Sequence, residues 1–179
     1  MNVFEMLDKV HNLEGDYCEC GVWQGFMAEH IAKGMNQTAK LWLLDSFEGH
    51  GQPSEYDLPK YHPQGRYSDT SARQVLEKLP SGIVYVPVIG FIPGTLPYIK
   101  TEKFRFCHID LDHYLPTKAA CEFFKARMVP GGIIRFDDYL HGETPGATKA
   151  INEVFGERNI LTCDYRWEHN PTEGDLPHA

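Results

Sequence analysis

Two stretches of this chain end in residues equipped for chemistry. The first is an apolar, β-leaning run (Phe104, Phe106, Cys107, Ile109) that passes into Asp110-Leu111-Asp112-His113-Tyr114. The second, Gly132-Ile133-Ile134-Arg135-Phe136, passes into Asp137-Asp138-Tyr139. As neighbouring strands, the two would bring Asp110, Asp137 and Asp138 to one point as hard oxygen ligands for magnesium or a similar divalent cation. Such an ion beside a hydroxyl lowers its pKa and holds it for attack on an electrophile. A lone acid at a strand end often caps a helix or faces solvent; two clusters on adjacent ends favour the metal reading. His113 carries two readings. An imidazole of ordinary pKa, about 6.5, suits proton removal at neutral pH. A surface histidine, one of 9 in the chain, needs no role. Asp110 and Asp112 are the competing bases.

The elements that must position these residues follow from patterning. Phe4, Met6, Leu7, Val10 and Leu13 make a helical stripe. Residues 17–22 read as a short buried strand, Gly21-Val22-Trp23-Gln24-Gly25 as a glycine turn, and residues 26–33 as a helix. Strand, glycine turn and helix open a nucleotide-binding unit, where glycine lets the backbone come close to a ligand. Residues 40–47 form the second predicted strand, which ends in Asp45-Ser46. An acid there, 24 residues past Gly21, is where such folds hold ribose hydroxyls. Residues 48–69 are irregular and rich in Gly, Pro, His and Tyr; Tyr56, Tyr61 and Tyr67 favour a loop that packs on something. A short helix over 71–79 and a strand over 83–89, closed by Gly90-Phe91, come next. The strand over 104–109 leads to a helix over 116–128 with Thr117 at its start. Pro130-Gly131-Gly132 turns into the fifth strand, followed by a helix over 146–155 and a last strand over 160–167. This alternation predicts an α/β fold with a doubly wound, mostly parallel sheet. The ends of strands one, two, four and five then share one rim.

Length and charge narrow the partners. At 179 residues the simplest reading is one domain over 1–179. A net charge of -8 and a pI near 5.5 argue against nucleic acid or an anionic membrane, and suit neutral or cationic small molecules. No window approaches the roughly 20 apolar residues of a membrane span, and the N-terminus lacks the pattern of a signal peptide. Cys18, Cys20, Cys107, Cys121 and Cys163 read as reduced, buried thiols of a cytoplasmic protein. Cys18 and Cys20 are expected on opposite faces of their strand, and their spacing is too short for the usual zinc pair. The polar tail from Glu168 on is expected to be mobile.

Five motifs in this order resemble a class I S-adenosylmethionine-dependent methyltransferase, and more narrowly the macrocin O-methyltransferase (TylF-like) family. They are Glu19-Cys20-Gly21-Val22-Trp23-Gln24-Gly25, Leu43-Leu44-Asp45-Ser46-Phe47-Glu48-Gly49, Thr95-Leu96-Pro97, Ile109-Asp110-Leu111-Asp112-His113-Tyr114, and Phe136-Asp137-Asp138-Tyr139 with Pro145-Gly146 and Lys149-Ala150. The resemblance implies a Rossmann-like fold and S-adenosyl-L-methionine as cofactor. It implies a cofactor site built from Glu19, Gly21, Val22, Trp23, Gly25, Asp45, Ser46, Gly90, Phe91 and Asp110. It also implies magnesium on Asp110, Asp137 and Asp138, and a hydroxyl acceptor, chiefly a sugar of a secondary metabolite. The chain departs from the family in three places. About 18 residues precede Glu19, where the family carries lid helices, so cover is expected from the 48–69 loop or from a neighbour in a homo-oligomer. Pro93-Gly94 replaces an acid before Thr95-Leu96-Pro97. His113 stands where the family usually has an apolar residue, a place resembling that of the catalytic lysine in the catechol-type and caffeoyl-CoA-type relatives.

Other functions fit parts of the same pattern. Asp110-x-Asp112 with magnesium could serve a hydrolase or phosphotransferase, but the glycine turn and Asp45 upstream are foreign to that use. A nicotinamide dehydrogenase is disfavoured because Gly21-x-x-x-Gly25 lacks the Gly-x-Gly-x-x-Gly spacing. A non-catalytic S-adenosylmethionine-binding protein of the same fold keeps every motif.

Overall fold

The structure, a computed structural model, describes residues 2–101, 103–156, 161–163 and 166–169. Seven strands form one sheet in the order β3-β2-β1-β4-β5-β7-β6. β1 (Asp16–Cys20), β2 (Lys40–Asp45), β3 (Val84–Ile89), β4 (Phe104–Ile109) and β5 (Met128–Phe136) run parallel. β6 (Leu161–Cys163) and β7 (Arg166–His169) form a hairpin that adds β7 antiparallel to β5. The single last strand expected from the sequence is therefore two. Glu168 and His169, assigned above to a mobile tail, belong to β7, and the rest of that tail lies outside the described residues.

Strand order sets the place of the site. From β1 the chain steps outward through β2 and β3, then returns to place β4 on the other side of β1. The crevice between the carboxyl ends of β1 and β4 is the switch point at which open α/β sheets bind ligands. Pairing is in register there, with Glu19 beside His108 and Cys20 beside Ile109.

Alternation along the strands feeds two cores. Tyr17, Leu41, Leu43, Phe106 and Ile133 pack with Leu7 and Val10 of α1 (Val3–Val10), Ile31 of α2 (Phe26–Gly34) and Val75 of α3 (Ala72–Lys78). Cys18, Cys20, Trp42, Cys107 and Phe136 face the other way, onto Phe124 of α4 (Tyr114–Lys125) and Ile151 of α5 (Pro145–Phe155). Cys18 and Cys20 thus share a face, against expectation, with sulfurs 3.9 Å apart. Successive residues alternate across a strand, so i and i+2 lie on the same side. Cys18, Cys20, Cys107 and Cys121 are buried and free, as their apolar settings suggested.

Candidate cofactor and metal site

A cavity of about 700 Å³ opens at the carboxyl rim of the sheet, within the usual range for a small-molecule site. Gly21, Trp23, Asp45, Ser46, Gly90, Phe91 and Asp110 line one part of it. Asp112, His113, Asp137 and Asp138 line another, and His50, His62 and Tyr67 of the long loop close a third side. Glu19, Val22 and Gly25 stand behind this wall. Val22 is buried in the core, and Gly25 is the N-cap of α2, packed on Val75. Glu19 is buried with one carboxylate oxygen unpartnered; burial first, then the neighbouring Cys20 and Asp45, push its carboxyl well above the usual range.

The glycine turn is tied to β2 by Asp45. Its Oδ2 accepts the amides of Val22 and Trp23 at 2.7 and 2.8 Å, and its Oδ1 accepts that of Phe47 at 2.7 Å. A carboxylate has about four acceptor sites, so roughly one is left for a ribose hydroxyl. Gly21 (φ +84°) earns its place by packing: a Cβ there would run into the Asp110 carbonyl. That contact presses the ends of β1 and β4 together, as Asp110 donates its amide to Cys20 O at 2.9 Å. Trp23 lies against Tyr67 and donates its indole N–H to Asp69 at 2.8 Å, so its ring closes the rim while its backbone serves Asp45.

The acids are held by their own backbone. Asp138 Oδ2 accepts the amides of Leu111 and Asp112 at 3.1 and 2.9 Å, which fixes the turn after β4. Asp112 takes a left-handed φ of +59° in that turn, a conformation aspartate tolerates better than most residues. One oxygen each of Asp110, Asp112 and Asp138 fall within 4.8 Å of one another, and so do ligand atoms of His108, Asp110 and Asp137. Asp110 is common to both groups, whereas Asp137 and Asp138 fall in different ones, so among the described residues the expected triad is not gathered at one point, and oxygens that suit a hard dication surround Asp110. Burial and the charges of Asp138, Asp137, Asp112 and Glu19 push the Asp110 carboxyl well above its ordinary range. Burial and Asp112 do the same to Asp138, against the two amides that stabilise its anion. A bound cation would reverse that balance. Arg135, fully buried beneath the rim, answers only part of it, donating to Asp137 Oδ1 at 2.8 Å.

His113 is buried and is the N-cap of α4, with Nε2 2.9 Å from the carbonyl of His62. A carbonyl only accepts, so Nε2 carries the proton and Nδ1 is the nitrogen able to take another. The cap on α4 comes from the loop: Asp57 Oδ1 accepts the Tyr114 amide at 2.8 Å, while its Oδ2 accepts Ser54 N and Oγ at 2.7 and 2.6 Å. Thr117, expected at the helix start, is buried one turn in. Burial weighs against the charged form of Asp112, but the hydrogen bond from His50 and the charges of His62, His50 and His113 outweigh it, and its carboxyl titrates below the usual range.

A sequence model of the Macrocin-O-methyltransferase (TylF) family matches residues 2–164. The chain belongs to this family. A curated relative from Streptomyces olivaceus, the 8-demethyl-8-(2,3-dimethoxy-alpha-L-rhamnosyl)-tetracenomycin-C 4'-O-methyltransferase, is 28% identical over 149 residues, 70% of this chain and 53% of the relative. The mycinamicin III 3''-O-methyltransferase of Micromonospora griseorubida is 26% identical over 162 residues, 82% of this chain and 62% of its own. The chain therefore spans a little over half the length of these relatives. Among solved structures, the O-methyltransferase NovP superposes with a TM-score of 0.79 at 21% identity, covering 96% of this chain and 78% of NovP. A calicheamicin methyltransferase does so at 0.78 and 20%, covering 93% and 76%. These likenesses establish the class I methyltransferase fold.

Three residues of this TylF-family site escaped sequence reading. His50 and His62 lie on the Asp112 carboxylate, and Asp57 caps a helix 57 residues away. The dense histidines of the loop were the available signal for the first two. Arg135 was visible as a cation inside an otherwise apolar strand. No described helix is long and apolar enough to cross a membrane.

Proposed function

We propose that this chain is an S-adenosyl-L-methionine-dependent O-methyltransferase that acts, with a divalent cation such as Mg2+, on a hydroxyl of a glycosylated small molecule. The carrying observation is one cavity lined both by the nucleotide-type rim of β1, β2 and β3 and by the acids of β4 and β5. Family membership and the sugar O-methylations named for the relatives support the acceptor class. S-adenosyl-L-methionine supplies a sulfonium methyl already reactive toward an oxygen nucleophile. Asp110, Asp137 and Asp138 would hold the cation, whose charge would favour the deprotonated form of an acceptor hydroxyl.

The chain's own residues do the positioning. Asp45 keeps the glycine turn closed and offers its remaining acceptor site to a ribose hydroxyl; Phe91 gives the adenine an aromatic wall. The 48–69 loop, pinned by Asp57, walls the cavity against water, where alignment of donor and acceptor contributes much of the rate. His113, with Nε2 spent on the His62 carbonyl, is assigned as the base through Nδ1. The test is ligand linkage. S-adenosylhomocysteine at a hundredfold excess over its Kd should stabilise the fold by about 2.7 kcal/mol. Asp45→Ala should remove most of that gain. No thermal shift of the unmodified protein at millimolar ligand would refute the cofactor assignment.

A further inference from the structure

The loop histidines build a donor set unlike the ring of carboxylates beside it. Asp112 stands between two imidazoles: its Oδ2 is 2.9 Å from His50 Nε2, and its Oδ1 is 3.1 Å from His62 Nδ1. One ligand atom from each of the three residues falls within 4.8 Å of the others. All three line the cavity. His62 is only 4% exposed, and neither of its ring nitrogens has a hydrogen-bond partner. The 3.1 Å approach of Nδ1 to Asp112 is off the line that a ring N–H needs, and His50 Nδ1 is also buried and unpartnered. Buried polar atoms left unmatched in this way cost roughly 1–3 kcal/mol each, and several at one spot call for a ligand.

The spacing says which ligand. Two atoms each about 2.1 Å from an ion and at right angles about it are about 3 Å apart. His62 Nδ1, 3.1 Å from Oδ1 without a hydrogen bond, is therefore spaced to share an ion with it, and His50 Nε2, which hydrogen-bonds Oδ2 at 2.9 Å, would exchange that proton for the ion. Magnesium seeks oxygen, whereas imidazole nitrogen favours zinc, iron, cobalt and their neighbours. Two histidines and one carboxylate on one side, with a cavity on the other, leave coordination positions open. We propose that His50, His62 and Asp112 form a second metal site, adjoining the rim acids through Asp112, that takes a nitrogen-preferring first-row dication of the Zn2+ and Co2+ type. The ion would sit where the loop meets the β4–α4 turn and join the two. The proposal stands whether or not the chain transfers methyl groups.

Cobalt and zinc are the probes. Protein stripped with chelator and titrated with Co2+ in millimolar Mg2+, which keeps the rim acids occupied, should bind one equivalent with visible d–d absorption, displaced by Zn2+. Asp137→Asn should keep this signal. The double variant His50→Gln, His62→Gln should weaken Co2+ binding at least about tenfold. Circular dichroism checks that each variant is folded. X-ray absorption of the zinc-loaded unmodified protein gives a reading that needs no variant, with scattering from two imidazoles expected. Absence of stoichiometric Co2+ binding, an all-oxygen shell, or a signal kept by the folded double variant and lost in Asp137→Asn would overturn the site.

Discussion

Two clusters of charged groups, one around Glu153 and one at the rim, are treated oppositely by the chain. Glu153 of α5 receives Lys118 Nζ at 2.8 Å, Lys149 Nζ at 2.7 Å and the Tyr114 hydroxyl at 2.7 Å. Those hydrogen bonds, with the Lys118 charge, bring its carboxyl down to about 2. At the rim, Asp110 and Asp138 crowd against Asp112 and Asp137, and burial with mutual repulsion drives both carboxyls up. The first cluster is complete as the chain folds. The second sets Arg135 against Asp137 and His50 and His62 against Asp112, but leaves Asp110 and Asp138 raised by their acidic neighbours, a charge excess for something else to neutralise. Structural carboxylates arrive with their own cations; no lysine or arginine among the described residues is paired with Asp110 or Asp138.

The largest expected effect lies on the unbalanced side. His113→Ala should lower turnover by roughly two to four decades if its imidazole takes the acceptor proton. It should also flatten the acid limb of the pH–rate profile. An unchanged profile would move the base to Asp110 or Asp112.

Next is the contrast itself. Asp138→Asn keeps an oxygen for the Leu111 and Asp112 amides but removes the charge. It should cost roughly two to three decades in turnover with the melting temperature nearly kept. Glu153→Gln should leave turnover within about twofold, since exposed ion pairs are screened and contribute little. Equal losses in the two variants would dissolve the distinction.

The smallest effect is on stability against pH, where two glutamates should differ in sign. The folded pKa of Glu153 is depressed, so its contribution is present at neutral pH and is lost as pH falls from about 4 toward about 2. The folded pKa of Glu19 is raised, so its protonated form is favoured and stability declines as pH climbs above the ordinary carboxylate range. Thermal melts should therefore show Glu19→Gln a few degrees more stable at pH 8 and level with the parent near pH 4. Glu153→Gln should be slightly less stable at pH 7 and level near pH 2. The same sign for both at pH 8 would contradict the assigned environments.

Much of this was written locally in the chain. β2 and β4 are largely apolar runs and the second half of β5 is another, and their last residues fall on the rim by connection geometry, so Asp45, Asp110, Asp137 and Asp138 could be placed from order alone. Local cues failed where tertiary contacts decide. α4 begins at Tyr114 because Asp57 caps it from the loop, while Pro116, which marked the expected start, merely sits in the first turn. β5 begins at Met128, ahead of the glycines read as a turn, because Met128 pairs with Phe104. Periodicity carries no information about where an irregular loop lands, so His50 and His62 could be noticed but not placed on Asp112. The shared face of Cys18 and Cys20 is legible from strand alternation alone.

The central claim is that the rim acids are left unneutralised for a cation beside the cofactor cleft. Calorimetric titration of Mg2+ into the S-adenosylhomocysteine-loaded protein tests it most directly, with Asp138→Asn alongside. The account predicts a single site in the parent, at least about tenfold weaker in the variant, with S-adenosylhomocysteine affinity the same in both. No Mg2+ binding at millimolar concentration, or equal binding by the variant, would contradict it.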